Sequence, residues 1–178
     1  MLRVVGGEFK RRKLDQPPLE ITRPTKDIAK EGLFNSLGDI EGLSFLDCFG
    51  GSGAMGIEAR SRQAKDVTII EKSKEAYRVI LKNINSIGIN DIKVINDDFY
   101  KAIKRLKSSF DIIFIDPPYK MEINDEFIHT LISYGLTKED TRIIIERDTI
   151  LDSNLFNEFD IKELKYGKSF LYILKKRN

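Results

Sequence analysis

From residue 43 onward, short apolar runs alternate with helical stretches, and this rhythm leaves the chain few folds to choose from. The apolar runs are Phe45-Leu46, Val67 to Ile70, Ile92 to Ile95, Ile112 to Ile115 and Ile143 to Ile145. Between them fall Ala54 to Gln63, Lys74 to Ile87, Phe99 to Lys107 and Glu126 to Tyr134, whose patterns read as helices. Strand–helix–strand units of this kind build a parallel sheet with helices on both faces and right-handed connections. The rhythm breaks at the end. Ile161 to Tyr166 and Phe170 to Leu174 are joined only by Gly167-Lys168, which is too short for a crossover, so they pair antiparallel. The expected fold class is therefore α/β: a Rossmann-like, doubly wound sheet of seven strands, mostly parallel, with an antiparallel C-terminal strand.

The 178 residues suit one domain with a small appendage, and 41% hydrophobic content is enough for a real core. No apolar run approaches the ~20 residues of a membrane helix. The N-terminus turns basic at once and has no signal-peptide pattern, and the single cysteine allows no intramolecular disulfide. A cytoplasmic protein is expected. Net charge is only +2, but residues 1–26 carry seven basic against three acidic side chains, a local +4. A basic segment on a near-neutral body suggests a polyanion partner; a merely solvated terminus is the plainer reading. Leu2 to Leu14 reads as a short basic hairpin or arm, Gln16-Pro17-Pro18 as a stiff spacer, and Lys26 to Leu37 as a helix capped by Thr25. The expected division is a basic arm over 1–24 and one domain over 25–178.

Gly51, Gly53 and Gly56 fit G-x-G-x-x-G between the first core strand and the first core helix. That context raises a weak motif to a nucleotide-site signal. Glu71 closes the second strand twenty positions beyond Gly51, where a carboxylate can accept hydrogen bonds from ribose hydroxyls. The motif alone does not say which nucleoside binds. Asp47, just before the loop, would repel a pyrophosphate but tolerate a cation or amino group, which argues for S-adenosylmethionine. Asp98, at the end of the third strand, could accept from an adenine amino group, with Phe99 packing on or near the ring. Asp97 or Asp98 could equally cap the helix that starts there.

Asp116-Pro117-Pro118-Tyr119 ends the apolar strand Ile112 to Ile115. Proline cannot donate to a ladder and restricts the residue before it, so the strand must stop and turn. The turn gathers a carboxylate, proline carbonyls and an aromatic ring at the carboxyl end of a strand, where open α/β sheets bind ligands. These groups suit an exocyclic amine on a planar ring. Asp116 can accept one N–H and the Pro117 carbonyl the other, both favouring the pyramidal, positively charging nitrogen of a methyl transfer. Tyr119 can stack on the base and fix the angle of attack. A paired base would first have to be turned out.

With these residues in view, the chain resembles class I S-adenosylmethionine-dependent amino methyltransferases, and among them the RsmD family, which methylates N2 of a guanine in bacterial 16S rRNA. The resemblance lies in RVVGGEFKRRKL, RPTKDIAKEGLFNSL, LDCFGGSGAMGIEA, IDPPY and YGKSFLYILKK, and covers nearly the whole chain. It implies that Asp47, Gly51, Gly53 and Glu71 shape the cofactor site, with Asp98 at the adenine and Arg23 and Thr25 over the pocket. It implies that Asp116 to Tyr119, Pro118 included, hold the guanine. Lys10, Arg11, Arg12 and Lys13 would contact the rRNA backbone. Family members commonly have glycine near position 11, where this chain has Arg11. Implied too are S-adenosyl-L-homocysteine as product, 16S rRNA or a small-subunit assembly intermediate as partner, and a monomer.

His129 is the lone histidine and supplies neither a metal site nor a triad; no metal is expected. Cys48, on an apolar strand, reads as core. Alternatives differ in class. An N6-adenine or N4-cytosine DNA methyltransferase shares the amine chemistry, but no added target-recognition domain is evident. Methylation of a protein glutamine usually goes with Asn at the Asp116 position. An NAD-dependent oxidoreductase lacks a hydride-transfer partner here, and Asp116 argues against a non-catalytic RNA-binding module.

Overall fold

The structure is a computed structural model that describes residues 2–18, 27–118, 121 and 123–177. Two short strands open it: β1 (Leu2–Arg3) and β2 (Lys13–Leu14), paired antiparallel with Leu2 opposite Leu14. Helix α1 (Asp27–Leu37) follows. Then come β3 (Ser44–Asp47), α2 (Ala54–Ser61), β4 (Lys65–Glu71), α3 (Lys74–Ile87), β5 (Lys93–Asn96), α4 (Phe99–Ile103), β6 (Phe110–Ile115) and α5 (Asp125–Ser133). The chain ends with β7 (Thr137–Arg147), a 3-10 turn at Ser153–Phe156, β8 (Phe159–Tyr166) and β9 (Ser169–Lys176).

The main sheet has seven strands in the order β5-β4-β3-β6-β7-β9-β8. Neighbours from β5 to β7 are parallel, and β9 runs antiparallel to both β7 and β8. The expected α/β architecture is what forms. The last strand does not sit at the edge; it is inserted between β7 and β8. There its apolar run Leu171, Tyr172, Ile173 and Leu174 is covered on both faces, as a central strand requires.

Side-chain alternation divides the core between the two faces. Phe45, Ile69, Phe114 and Ile144 join a cluster with the apolar sides of α1, α2 and α3. Leu46, Ile70, Ile113, Ile115 and Ile145 join the cluster under α4 and α5. Helix α3 begins at Ser73, whose hydroxyl accepts the Ala76 N–H, and ends at Gly88 in the left-handed region. Helix α4 is shorter than the expected Phe99–Lys107. Beyond Ile103 the backbone tightens into turns that bond Arg105 to Ala102 and Leu106 to Ile103, which keeps Leu106 buried with Ala102 and Ile103. The proposed Thr25 cap of α1 lies outside the described residues.

The N-terminal hairpin is docked, not free. Leu2, Val4 and Leu14 are buried in the core beneath α1 and α2. Glu8 N–H donates to the Ser61 carbonyl (2.7 Å), and Phe9 N–H to the Ser61 hydroxyl (2.9 Å), at the last residue of α2. A buried ion-pair network lies under the hairpin. Lys30, 0% exposed, stands 3.8 Å from the equally buried Glu58 and donates to the Arg3 carbonyl. Glu58 also accepts the Val5 N–H (2.8 Å) and Arg62 Nε (2.9 Å). Every charge in this network has a partner, which burial in a low-dielectric interior requires.

Candidate active site

Strand order reverses between β3 and β6, and the carboxyl ends of those strands flank the crevice where doubly wound sheets take ligands. Period-two alternation puts an acid on one face of each of four central strands there. Glu71 lies two residues beyond Ile69, Asp47 beyond Phe45, Asp116 beyond Phe114 and Glu146 beyond Ile144, all on the side of α1 to α3. Register then sets their heights. Asp47 is level with Ile69 and Phe114, so it lies one pleat repeat lower than Glu71 and Asp116. Ile115 pairs with Ile145 at the end of β6, and Glu146, the next residue of β7, is near enough to Asp116 to act on its carboxyl. The result is a cup with Asp47 as its floor, Glu71 on one wall and Asp116 with Glu146 on the other.

The glycine loop closes the cup on the helix side. Gly53 N–H donates to the Gly50 carbonyl (2.7 Å), and Gly50 N–H to the Ile70 carbonyl (2.8 Å). Gly53 takes φ 78 at the start of α2, and a Cβ there would stand 3.0 Å from Ile80, so only glycine fits this turn without strain. Glu71 grips the loop: its carboxylate accepts Gly51 N–H (2.7 Å) on one oxygen and Ser73 N–H (2.6 Å) on the other. Asn83 of α3 ties the N-terminal segment to the same loop, exchanging hydrogen bonds with the Asp15 backbone (2.8 and 3.0 Å) and donating to the Ser52 carbonyl (3.0 Å).

The cup's electrostatics follow from burial of like charges. Burial pushes the Asp47 carboxyl up to about 7, against the Phe49 N–H it accepts. Glu71 is raised by burial and partly held down by its backbone donors. Asp116 is raised well above the usual carboxylate range, by burial first and then by Glu146, Asp47 and Asp148. Buried carboxylates facing one another favour a positively charged guest and oppose a pyrophosphate.

Other predicted residues divide. Asp98 caps α4, accepting the Tyr100 N–H (3.1 Å), and pairs with Lys72 (3.2 Å). Desolvation pushes its carboxyl up, but Lys72 and the backbone donors outweigh that and leave it lowered. The Phe99 ring is 3% exposed and stacks on Phe127 (4.7 Å between centroids) and Phe49 (5.4 Å), forming a wall behind the third strand's end. Pro117 is half-buried and Pro118 exposed. The turn after Asp116 closes through the Pro118 carbonyl, which accepts the Met121 N–H (2.8 Å). Arg23, Thr25 and Tyr119 lie outside the described residues. Lys10, Arg11, Arg12 and Lys13 are exposed, but their hairpin meets the far end of α2 from the glycine loop. Arg11 adopts φ 73, a conformation that favours glycine. Cys48 is buried, and His129 is half-exposed beside Asp125 (3.1 Å) on α5. The 390 Å³ cavity lined by Thr137, Lys138, Phe159 and Lys176 opens at the amino ends of the strands, away from the cup. Glu146 escaped the sequence reading because nothing local marks it; only its place two residues past a core isoleucine, once the strand register is known, puts it in the cup.

The family described as conserved hypothetical protein 95 matches residues 2–175. Ribosomal RNA small subunit methyltransferase D of Escherichia coli K12 is 33% identical over 148 residues, covering 83% of this chain and 75% of that protein. The protein of the same name from Buchnera aphidicola (subspecies Baizongia pistaciae) is 33% identical over 177 residues, covering 97% and 90%. The chain belongs to the RsmD family. The fold agrees: the solved structure of the methyltransferase yhhF from E. coli superposes with a TM-score of 0.82 at 26% identity, covering 99% of each chain. As a class I member the protein is a methyltransferase that uses S-adenosylmethionine, and the acidic cup suits that cationic cofactor.

Proposed function

We propose that this RsmD-family protein transfers a methyl group from S-adenosylmethionine to N2 of a guanine in 16S rRNA. The observation that supports the reading is the acidic cup at the switch point, with Asp47 between Glu71 and the end of β6, where Asp116 precedes Pro117. The relatives named as small-subunit rRNA methyltransferases support the substrate class.

The bound cofactor supplies an electrophilic methyl on a sulfonium, and its carbon–sulfur bond electrons leave with sulfur. Glu71 orients the ribose hydroxyls while fixing Gly51, Asp98 meets the adenine amine with Phe99 behind it, and Asp47 balances positive charge from below. Arg23 and Thr25 cover the pocket. Asp116 and Pro117 accept the two N–H groups of the guanine amine, which localises the nitrogen lone pair and stabilises its developing charge. Pro118 and Tyr119 confine the turned-out base. Residues 1–24 serve as a basic RNA-contact segment docked on the 25–178 methyltransferase domain, with Lys10, Arg11, Arg12 and Lys13 on rRNA phosphates. The protein acts as a cytoplasmic monomer on the small subunit or an assembly intermediate, releasing S-adenosyl-L-homocysteine.

The test is methyl transfer from labelled S-adenosylmethionine to small subunits, naked rRNA and DNA in parallel, with the modified base identified. N2-methylguanine in 16S rRNA is expected. Label only in DNA, on adenine N6 or cytosine N4, would overturn the substrate. Asp116→Ala should lower the rate by about 10²–10³ while RNA binding persists; full activity in that variant would remove Asp116 from the chemistry.

A further inference from the structure

Asn83 is the one polar side chain on the buried face of α3, 2% exposed among Ala76, Ile80, Ile84 and Ile87. A buried amide costs free energy unless its groups are paired. Here both amide protons and the oxygen are used. Oδ1 accepts the Asp15 N–H (2.8 Å), and Nδ2 donates to the Asp15 carbonyl (3.0 Å) and to the Ser52 carbonyl (3.0 Å). One backbone donor and two backbone acceptors leave the amide a single way to point. Exchanging both bonds with the backbone of one residue is what a neighbouring strand does in an antiparallel ladder. Asn83 therefore docks Asp15, the residue after β2, as a strand would. At the surface Lys82 adds an ion pair with the Asp15 carboxylate (2.6 Å).

The third bond reaches the glycine loop. The Ser52 carbonyl and the Gly53 N–H belong to one planar peptide. Asn83 holds its carbonyl end, and the Gly50 carbonyl holds its N–H end (2.7 Å). Rotating this peptide would break both bonds at the point where Gly53, at φ 78, leads the loop into α2. Glu71 fixes the loop from the strand side through the Gly51 N–H (2.7 Å), and Asn83 fixes it from the helix side.

We propose that Asn83 is a positioning residue for the cofactor: it holds the Ser52–Gly53 peptide in place for S-adenosylmethionine, and Asp15 in turn holds Asn83. The N-terminal segment then helps to build the cofactor site, besides carrying the basic tip. Two of the three bonds pin the side chain before the third is made, so the bond to Ser52 costs little further rotamer entropy. An undocked segment would leave the amide to solvent and the loop without its brace. The coupling is reciprocal: a ligand that binds only the braced loop must also tighten the docking of Asp15. The role requires only S-adenosylmethionine in the cup and holds whichever base is methylated.

The test begins without RNA. Asn83→Leu keeps the side-chain volume and loses all three bonds. Calorimetric titration should show S-adenosylmethionine binding weakened about tenfold in the folded variant. In methyl transfer KM for the cofactor should rise by the same factor with kcat unchanged, because the bonds of Asn83 end at the loop backbone. Asn83→Asp separates positioning from a merely loosened fold. Its carboxylate accepts the Asp15 N–H but has no proton for the Ser52 carbonyl until it is protonated. The affinity of that variant relative to the wild type should therefore recover as pH falls. Wild-type affinity in folded Asn83→Leu would overturn the proposal. Hydrogen exchange of the wild type gives an answer even where the variants fail to fold. S-adenosylmethionine should slow exchange of the Asp15 N–H, and exchange there that is indifferent to the cofactor would overturn the coupling. Methylation of another base would remove the guanine assignment and leave the role of Asn83 standing; guanine methylation with unchanged cofactor affinity in Asn83→Leu would do the reverse.

Discussion

Asp47 is the floor of the cup, 1% exposed, with a carboxyl that burial raises to about 7 from an ordinary 3.8. The direction of the linkage follows. Between about pH 4 and pH 7 the folded protein holds a proton there that the unfolded chain does not, so stability rises as pH falls through 7 toward 4. The ligand-free protein should therefore be more stable at pH 6 than at pH 8, gaining up to about 1.4 kcal/mol per pH unit below 7, and unfold at a higher temperature there. Asp47→Asn should flatten that slope, raise the melting temperature at pH 8 and weaken binding of S-adenosylmethionine. Calorimetric melting across pH reads the slope, and a wild type more stable at pH 8 would contradict this account of Asp47. Arg11 poses the opposite problem, an ordinary side chain in a backbone conformation meant for glycine, at φ 73. That conformation costs an L-residue about 1–2 kcal/mol, partly offset in Arg11→Gly by the freer unfolded chain. Arg11→Gly should raise stability by somewhat less than about 1 kcal/mol while lowering RNA affinity; thermal melts and RNA titrations measure the two separately.

Helices α1 and α2 meet the N-terminal hairpin through charge as well as packing. Lys30 is wholly buried, and desolvation lowers its ammonium below its usual value although Glu58 and Asp27 pull it back up. Removing one member of such a network strands the rest in a poor solvent. Lys30→Met should cost about 3 kcal/mol of stability and speed hydrogen exchange at Val5, whose N–H rests on Glu58. Cofactor affinity should change little, because Glu58 belongs to the hairpin side of α2 and not to the glycine loop. Unchanged exchange at Val5 would mean the hairpin is held by its apolar side chains alone.

The distribution of charge over the molecule sets how RNA can approach. The cup lies at the start of α2, and the basic hairpin tip meets Ser61 at its end. Eight residues of helix separate them by about 12 Å. Under the proposed function, an RNA that fills both sites would run along the flank of α2, and the tip is expected to act on affinity and not on chemistry. Replacing Lys10, Arg11, Arg12 and Lys13 together by alanine should weaken RNA binding and reduce the salt slope by about 0.7–0.9 for each phosphate that is no longer neutralised, with cofactor affinity unchanged. A salt slope equal to the wild type's would make the tip a solvated surface only.

The order of strands and helices, the glycine loop and the acids Asp47, Glu71 and Asp116 were all legible in the sequence. Each depends on local rules: period-two and helical periodicity, a turn that needs glycine, and a strand that two prolines stop. Tertiary structure alone decided the rest. Strand register set the heights of the acids and brought Glu146 near Asp116, 30 positions earlier in the chain. Sheet pairing inserted β9 between β7 and β8, where its apolar side chains are buried on both faces. Docking carried the basic tip to the far end of α2. Such relations join residues distant in sequence, and free energy fixes them through burial and pairing summed over the whole sheet, which no stretch of sequence read by itself contains.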